Sequence, residues 1–296
     1  MDRLTGRVGI VGAGTMGRGI AQLFAEHGHE VVLVDLTEDV LERARAEIVL
    51  NLRLAPLVRP GSAAPDPDEA AARIRFTTNL KDVRTAGFVI ENVTEDWETK
   101  RGVHTELDGL CPPGVPFGVN TSAIPITRVA SVTRRAPEIV GTHFMNPAHL
   151  KPTVEVIRGH HTSDATVART RALLESAGRR CVVVRDGPGF VTNRVAMLTV
   201  NEAVFLLAEG TAGAPDIDRL FRECLGHAMG PLETADLIGL DTVLRSLEVL
   251  HGEFGDPKFR PCPLLRELVR AGRLGRKSGR GFHTYESLPG KDASDG

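Results

Sequence analysis

The hexapeptide Gly12-Ala13-Gly14-Thr15-Met16-Gly17 most narrows the folds open to this chain. It follows a short apolar run at 7–11 and leads into residues 16–26, whose apolar positions recur with helical spacing. A second apolar run, 30–34, ends on Asp35. Strand, helix and strand in that order make the unit of a parallel sheet. Within such a unit Gly12 permits the tight turn, Gly14 lets the backbone approach a pyrophosphate, and Gly17 allows close packing of helix on strand. Thr15 and Met16 open the helix, whose N-terminus presents N–H groups and the positive end of its dipole to an anion. A carboxylate at Asp35 can accept hydrogen bonds from a ribose 2′-hydroxyl and would repel a 2′-phosphate. That combination favours NAD over NADP. The plainer alternative is a glycine turn with a chance surface aspartate.

A helical segment is expected at 38–54. Residues 56–67 carry Pro56, Pro60, Pro65 and Pro67 and read as a loop or broken helix. Further short apolar runs at 88–93, 116–120, 139–143 and 181–185 are compatible with one open sheet continuing to about residue 185. The character changes at Asp186-Gly187-Pro188-Gly189, a turn sequence. Beyond it the periodicity is helical, at 190–209, 215–225, 232–253 and 263–271. The expected organisation is a sheet domain at 1–186, a helical domain at 187–286 and a polar, disordered tail at 287–296. The fold class is α/β: a Rossmann-type doubly wound parallel sheet followed by an all-helical C-terminal domain.

Composition excludes several function classes. Charged residues make up 25% of the 296 positions and the formal net charge is −2, so no nucleic-acid or membrane partner is expected. No apolar run approaches the ~20 residues that span a bilayer. The glycine-broken N-terminal stretch reads as a strand entering a turn rather than a signal peptide. The four cysteines, Cys111, Cys181, Cys224 and Cys262, form no CxxC pair. A reduced cytoplasmic protein without metal or disulfide is the expectation.

Further motifs follow in order. They are Glu95 with Lys100, Asn120-Thr121-Ser122, Gly141-Thr142-His143-Phe144-Met145-Asn146-Pro147, Thr153-Val154-Glu155-Val156, Gly189-Phe190-Val191-Thr192-Asn193-Arg194, Met229-Gly230-Pro231 and the glycine-rich segment from Gly275 to Phe282. With the first glycine motif, this series resembles the 3-hydroxyacyl-CoA dehydrogenase family over nearly the whole chain. The resemblance implies an NAD-binding domain, a helical domain that forms a homodimer, and an acyl thioester substrate. It also implies that His143 and Glu155 are the catalytic pair. Oxidising a secondary alcohol requires a base for the O–H proton while hydride leaves the carbon. Histidine titrates close to neutrality, and a carboxylate on its other ring nitrogen fixes the tautomer. Alone, neither residue stands out, since the chain has 10 histidines.

The resemblance assigns Ser122 and Asn193 to substrate positioning, where each could otherwise be a capping or turn residue. It places Asn146 and Ser122 near the nicotinamide, and makes Glu95, Lys100 and Lys277 cofactor contacts. The bland readings are an Asn-Pro turn, an i,i+5 surface charge pair and a solvated loop lysine.

The chain departs from the family at three places. Met145 stands where phenylalanine is common, and residues 91–97 are unusually polar and hold the single Trp97. The lysines that CoA-using relatives carry after the second strand are missing; Asn51, Arg53 and Arg59 stand there among Pro56 and Pro60. The expected reaction is NAD-dependent, reversible oxidation of a 3-hydroxyacyl thioester such as 3-hydroxybutyryl-CoA. An alternative is a glyceryl group on an acyl carrier protein, oxidised toward a polyketide extender unit; the segments 143–147 and 91–97 are similar to that branch. A 3-hydroxy-acid dehydrogenase of the 6-phosphogluconate dehydrogenase type shares the architecture but normally uses a lysine on the first C-terminal helix, and 190–209 contains none. An inactive binding protein is disfavoured by the intact pair.

Overall fold

Eight strands build one sheet in the computed structural model, which describes residues 6–58 and 66–285. They are β1 (Arg7–Val11), β2 (Val31–Val34), β3 (Ile74–Thr77), β4 (Ala86–Glu91), β5 (Phe117–Val119), β6 (Ile139–His143), β7 (Thr153–Arg158) and β8 (Arg180–Arg185). Their order is β3-β2-β1-β4-β5-β6-β7-β8. The chain steps outward from β1 to β3, then returns to the other side of β1 at β4. The sheet therefore has its switch point between β1 and β4, where an open α/β sheet leaves a crevice beyond its strand ends. Every pairing is parallel except β6 with β7. The strands β3 and β7 are not among the apolar runs that the sequence singles out.

The central strands are apolar on both faces, as a sheet covered by helices on both sides requires. Val31 and Leu33 of β2 belong to one core, while Val32 and Val34 belong to the other. That division is the two-residue alternation of a strand. The first unit's helices are α1 (Thr15–Glu26), α2 (Glu38–Val58), α3 (Pro67–Ala72), α4 (Trp97–Leu110), α5 (Ile126–Ala130) and α6 (Asp164–Ser176). Helix α2 does not stop before Pro56 but carries it internally. A proline there removes one backbone hydrogen bond, and the turn is held by the buried Leu52 and Ala55. Asp66 caps α3 through the Asp68 and Glu69 amides, with Pro67 at the first helical position. Arg59, Pro60, Pro65 and the expected tail at 287–296 lie outside the described residues.

The chain divides into two units between Phe190 and Val191, four residues beyond the expected boundary at 186. Asp186 caps α5 through the Ile126 and Thr127 amides, at 3.1 and 2.7 Å. Phe190 is buried in the sheet core. Both tie the turn after β8 to the first unit.

The second unit comprises α7 (Thr192–Ala208), α8 (Ala214–Leu225), α9 (Pro231–Ile238), α10 (Leu240–Phe254) and α11 (Pro263–Arg270). The single helix expected at 232–253 is two helices, because Gly239 adopts φ +101° and breaks the ladder. Val200, Val204, Val243, Leu247 and Leu250 form the core with Phe259 and Leu265. The unit thus buries much of the apolar length of α7 and α10 by itself, while Val195 of α7 stays exposed.

Candidate active site

The turn after β1 shows why its glycines are glycines. Gly12 has φ +96°, and a Cβ there would lie 2.7 Å from the Asn92 carbonyl oxygen. A Cβ on Gly17 would lie 1.7 Å from the Gly12 carbonyl oxygen, so only hydrogen fits where α1 crosses the turn. Gly14, by contrast, has no atom within 4 Å of its Cβ direction. No side chain caps α1 at Gly14, and Thr15 is exposed beside it while Met16 leans on the core. An open cradle at a helix N-terminus fits the pyrophosphate of a dinucleotide. Asp35 closes β2, with Oδ2 accepting from the Ala13 amide at 2.6 Å and Oδ1 from the Leu36 amide at 2.7 Å. Each oxygen keeps lone pairs for a ribose hydroxyl.

Beyond the ends of the neighbouring strands stands the predicted pair. His143 ends β6 and Glu155 lies opposite it on β7. The imidazole Nδ1 is 3.0 Å from Glu155 Oε2 and Nε2 is 3.0 Å from Ser122 Oγ. His143 and Glu155 are 7% and 5% exposed, and the Phe190 ring meets the imidazole edge-on at 5.8 Å. The carboxylate is therefore shielded from water, while Nε2 points at the serine hydroxyl. That arrangement suits a base whose tautomer is fixed from behind.

Ser122 sits on the loop 120–123, and Glu95 holds that loop. Glu95 Oε1 accepts from the Ser122 and Ala123 amides at 3.0 and 3.1 Å, and from the Thr121 hydroxyl. Lys100 is not the surface charge of the bland reading. Its side chain is 0% exposed, and its ammonium lies 2.8 Å from Glu91 Oε1, 3.1 Å from the Asn120 carbonyl and 3.6 Å from Glu95. His104, one turn further along α4, places Nε2 3.0 Å from Glu91 Oε2. Burial works to raise the Glu91 carboxyl, but the Lys100 charge and the His104 contact hold it below its ordinary value. Glu91, His104 and Asn120 were not singled out as site residues. The available signals were the polar run 91–97, Lys100 and His104 at i,i+4 spacing, and Asn120 at the head of the Asn120-Thr121-Ser122 motif.

Asn146 is exposed at a cis Asn146-Pro147 bond. It lines a cavity of about 320 Å³ with Thr15, Arg18, Glu47, Asn51 and His149. Asn193 and Lys277 belong to the second unit. Asn193 is half-buried in the first turn of α7, and the Lys277 ammonium is 2.6 Å from Asp241. Among the sequence-predicted residues, the first unit brings together the glycine turn, Asp35, Glu95, Lys100, Ser122, His143 and Glu155.

A dinucleotide cradle at the switch point and a shielded Ser-His-Glu array beside it define an oxidoreductase that works on a hydroxyl group. Comparison with known proteins gives the family. Residues 7–187 match the 3-hydroxyacyl-CoA dehydrogenase NAD binding domain, and residues 189–285 match the 3-hydroxyacyl-CoA dehydrogenase C-terminal domain. The chain belongs to the 3-hydroxyacyl-CoA dehydrogenase family. It is 43% identical to a probable 3-hydroxybutyryl-CoA dehydrogenase of Bacillus subtilis, over 94% of this chain and 96% of that one. A probable 3-hydroxybutyryl-CoA dehydrogenase of Deinococcus radiodurans is 42% identical over 94% of this chain and 100% of its own length. The crystal structure of (S)-3-hydroxybutyryl-CoA dehydrogenase from Ralstonia eutropha superposes with a TM-score of 0.89 at 43% identity, covering 95% of this chain and 99% of that one. NAD-dependent oxidation of a 3-hydroxyacyl-CoA to the 3-oxoacyl-CoA is the activity of this family.

Proposed function

We propose that this protein oxidises short-chain 3-hydroxyacyl-CoA, with 3-hydroxybutyryl-CoA as the preferred substrate. The observation that carries the reading is the hydrogen-bonded line Ser122–His143–Glu155, at 3.0 Å for each contact. His143 Nε2 accepts the proton of the 3-hydroxyl. Glu155 accepts from Nδ1–H and stabilises the imidazolium that forms. Ser122 already directs its hydroxyl at the same ring nitrogen and marks where the substrate oxygen docks. NAD would supply the hydride acceptor that oxidation of the carbinol carbon requires. The residues that would hold it are Gly12 to Gly17 for the pyrophosphate and Asp35 for the adenosine ribose.

The choice of the four-carbon acyl group rests on the names of the similar proteins above, which are called 3-hydroxybutyryl-CoA dehydrogenases. Nothing in those comparisons favours the glyceryl carrier-protein alternative. Asn193 is proposed to position the thioester and Lys277 to contact the cofactor. The test is NADH formation across 3-hydroxyacyl-CoA substrates of increasing chain length. The highest kcat/KM is expected at four carbons. A long-chain optimum, or turnover only with a carrier-protein thioester, overturns the reading.

A further inference from the structure

Three ionisable side chains with no solvent exposure, Glu91, Lys100 and His104, lie directly beneath the loop that carries Ser122. Isolating an ion pair from water costs several kcal/mol per ion, and an apolar pair of the same volume often serves stability as well. Their partners are therefore informative. Glu91 Oε1 accepts from Lys100 Nζ and from the Val93 amide at 2.7 Å. Glu91 Oε2 accepts from Lys100 Nζ at 3.1 Å and from His104 Nε2. The Lys100 ammonium is shared between this carboxylate and the two anchors of the Ser122 loop, the Asn120 carbonyl and Glu95. Asn120 is anchored again by its amide, donating to Asn92 Oδ1 at 2.8 Å and accepting from the Phe144 amide at 3.2 Å. Phe144 directly follows His143. The loop bearing the serine and the strand bearing the histidine thus share one support.

His104 is the member whose presence needs explaining. One ring nitrogen meets Glu91, while Nδ1 is buried with no hydrogen-bond partner among the described residues. An unsatisfied buried ring nitrogen costs free energy. Phe117 packs beside the ring with its centroid 6.1 Å away, so an aromatic hydrocarbon would suit the surroundings at least as well. What imidazole adds is a proton on Nε2, directed at Glu91 Oε2.

We propose that His104 is a positioning residue for the catalytic array. Its Nε2–H fixes the Glu91 carboxylate, which holds Lys100 against the Asn120 carbonyl and Glu95. These in turn hold Ser122 Oγ within hydrogen-bonding reach of His143. The proposal rests on the reading of Ser122 and His143 as the reacting site.

The test combines hydrogen exchange with a double-mutant cycle, both on the full-length protein. In His104→Phe, which keeps the ring and loses the donor, the amides of loop 120–123 should exchange about tenfold faster, with β1 and α1 unchanged. kcat with NAD and 3-hydroxybutyryl-CoA should fall about tenfold. In a Ser122→Ala background the same substitution should change kcat less than about twofold, because the group it positions is already gone. His104→Gln, which restores a donor, should recover most of the loss. If His104→Phe does not fold, His104→Met removes the same donor with a slimmer side chain and carries the same expectations. Unchanged loop exchange, or a kcat loss of equal size in both backgrounds, overturns the proposal. A wild-type protein that does not turn over the substrate overturns the function reading, while loop exchange still decides the role of His104.

Discussion

His143 and Glu155 are register partners across the antiparallel β6–β7 pair, and their side chains meet at 3.0 Å. Residues opposite one another on adjacent strands share a face, with Cβ atoms about 4.5–5.5 Å apart. The pairing is therefore set by two rigid strands rather than by a loop. The single antiparallel pairing of the sheet, beyond which β7 and β8 run opposite to the other six strands, brings the carboxylate back to the end of β6. His143→Ala or Glu155→Gln should lower turnover by ~10²–10⁴, the usual contribution of general acid–base catalysis. NAD binding, followed by fluorescence titration, should stay near wild type. Near-normal turnover in His143→Ala would remove the histidine from the mechanism.

The cofactor turn makes a second prediction. Asp35 holds the Ala13 amide as well as standing where a ribose is expected. Asp35→Ala should weaken NAD binding on both counts. It should also narrow the preference for NAD over NADP, read as the ratio of the two kcat/KM values. Charge-assisted bonds of this kind contribute about 1.5–3 kcal/mol. A wild-type enzyme using both cofactors equally would show that the carboxylate does not select.

What the sequence reveals about this fold follows how local each cause is. The glycine turn was legible because its causes lie within the motif: Gly12 adopts φ +96°, and a Cβ on Gly17 would strike the Gly12 carbonyl. The strand β7 was not, because its direction depends on a partner reached through the turn at Asn146-Pro147. Gly239 sits in an unbroken apolar run and looks like a tolerated helix glycine until its φ of +101° is seen. The same holds for the site. His143, Glu155 and Ser122 were readable as a family pattern. The burial of Lys100 was hidden because its closest partner, Glu91, is a strand residue nine positions earlier. A charged side chain gives no sign in sequence of being enclosed.

Alkaline stability gives a third prediction, for the second unit. The Tyr285 hydroxyl donates to Asp236 Oδ2 at 2.9 Å, and Asp236 also accepts from the Phe282 and His283 amides. Burial first, then the bond to Asp236 and its charge, push the Tyr285 hydroxyl up to about 12 from its ordinary 10.0. A group whose folded value is raised contributes stability below its unfolded value and loses that contribution as pH climbs through the folded one. The Tyr285 contribution should thus be full below pH 10 and vanish toward pH 12. Urea unfolding of wild type and Tyr285→Phe should differ at pH 8 and converge as pH rises above 10. A constant gap across that range would rule out the link.

Assembly gives a fourth. The second unit buries its core but leaves Val191, Val195, Leu220, Leu225, Leu237 and Ile238 between 41% and 63% exposed. Apolar area left in water in this way is area that association would cover. We predict a homodimer formed through these helices, giving twice the chain mass by light scattering at micromolar concentration. Val195→Lys combined with Leu237→Lys should shift the equilibrium toward monomer. A monomeric wild type would refute the assignment.

The carrier of the acyl group gives the last. CoA presents three phosphate groups, and a pocket selective for it needs cations free to meet them. Arg18 and Arg53, beside and on the described part of α2, each have a carboxylate partner. Arg18 pairs with Glu47 at 2.7 Å on the wall of the 320 Å³ cavity. Arg53 stands 3.9 Å from Asp68, with both side chains largely exposed. An exposed pair of that kind is worth about 0–1 kcal/mol, and a contact from the equally exposed Arg53 to a phosphate would contribute on the same scale. Arg53→Ala should therefore lower kcat/KM for 3-hydroxybutyryl-CoA less than about fivefold. The pantetheine thioester should react within about tenfold of the CoA thioester, a difference of at most ~1.4 kcal/mol. An advantage for CoA of a hundredfold or more, abolished by Arg53→Ala, would instead make this arginine a phosphate anchor and the nucleotide half of CoA a principal handle of the substrate.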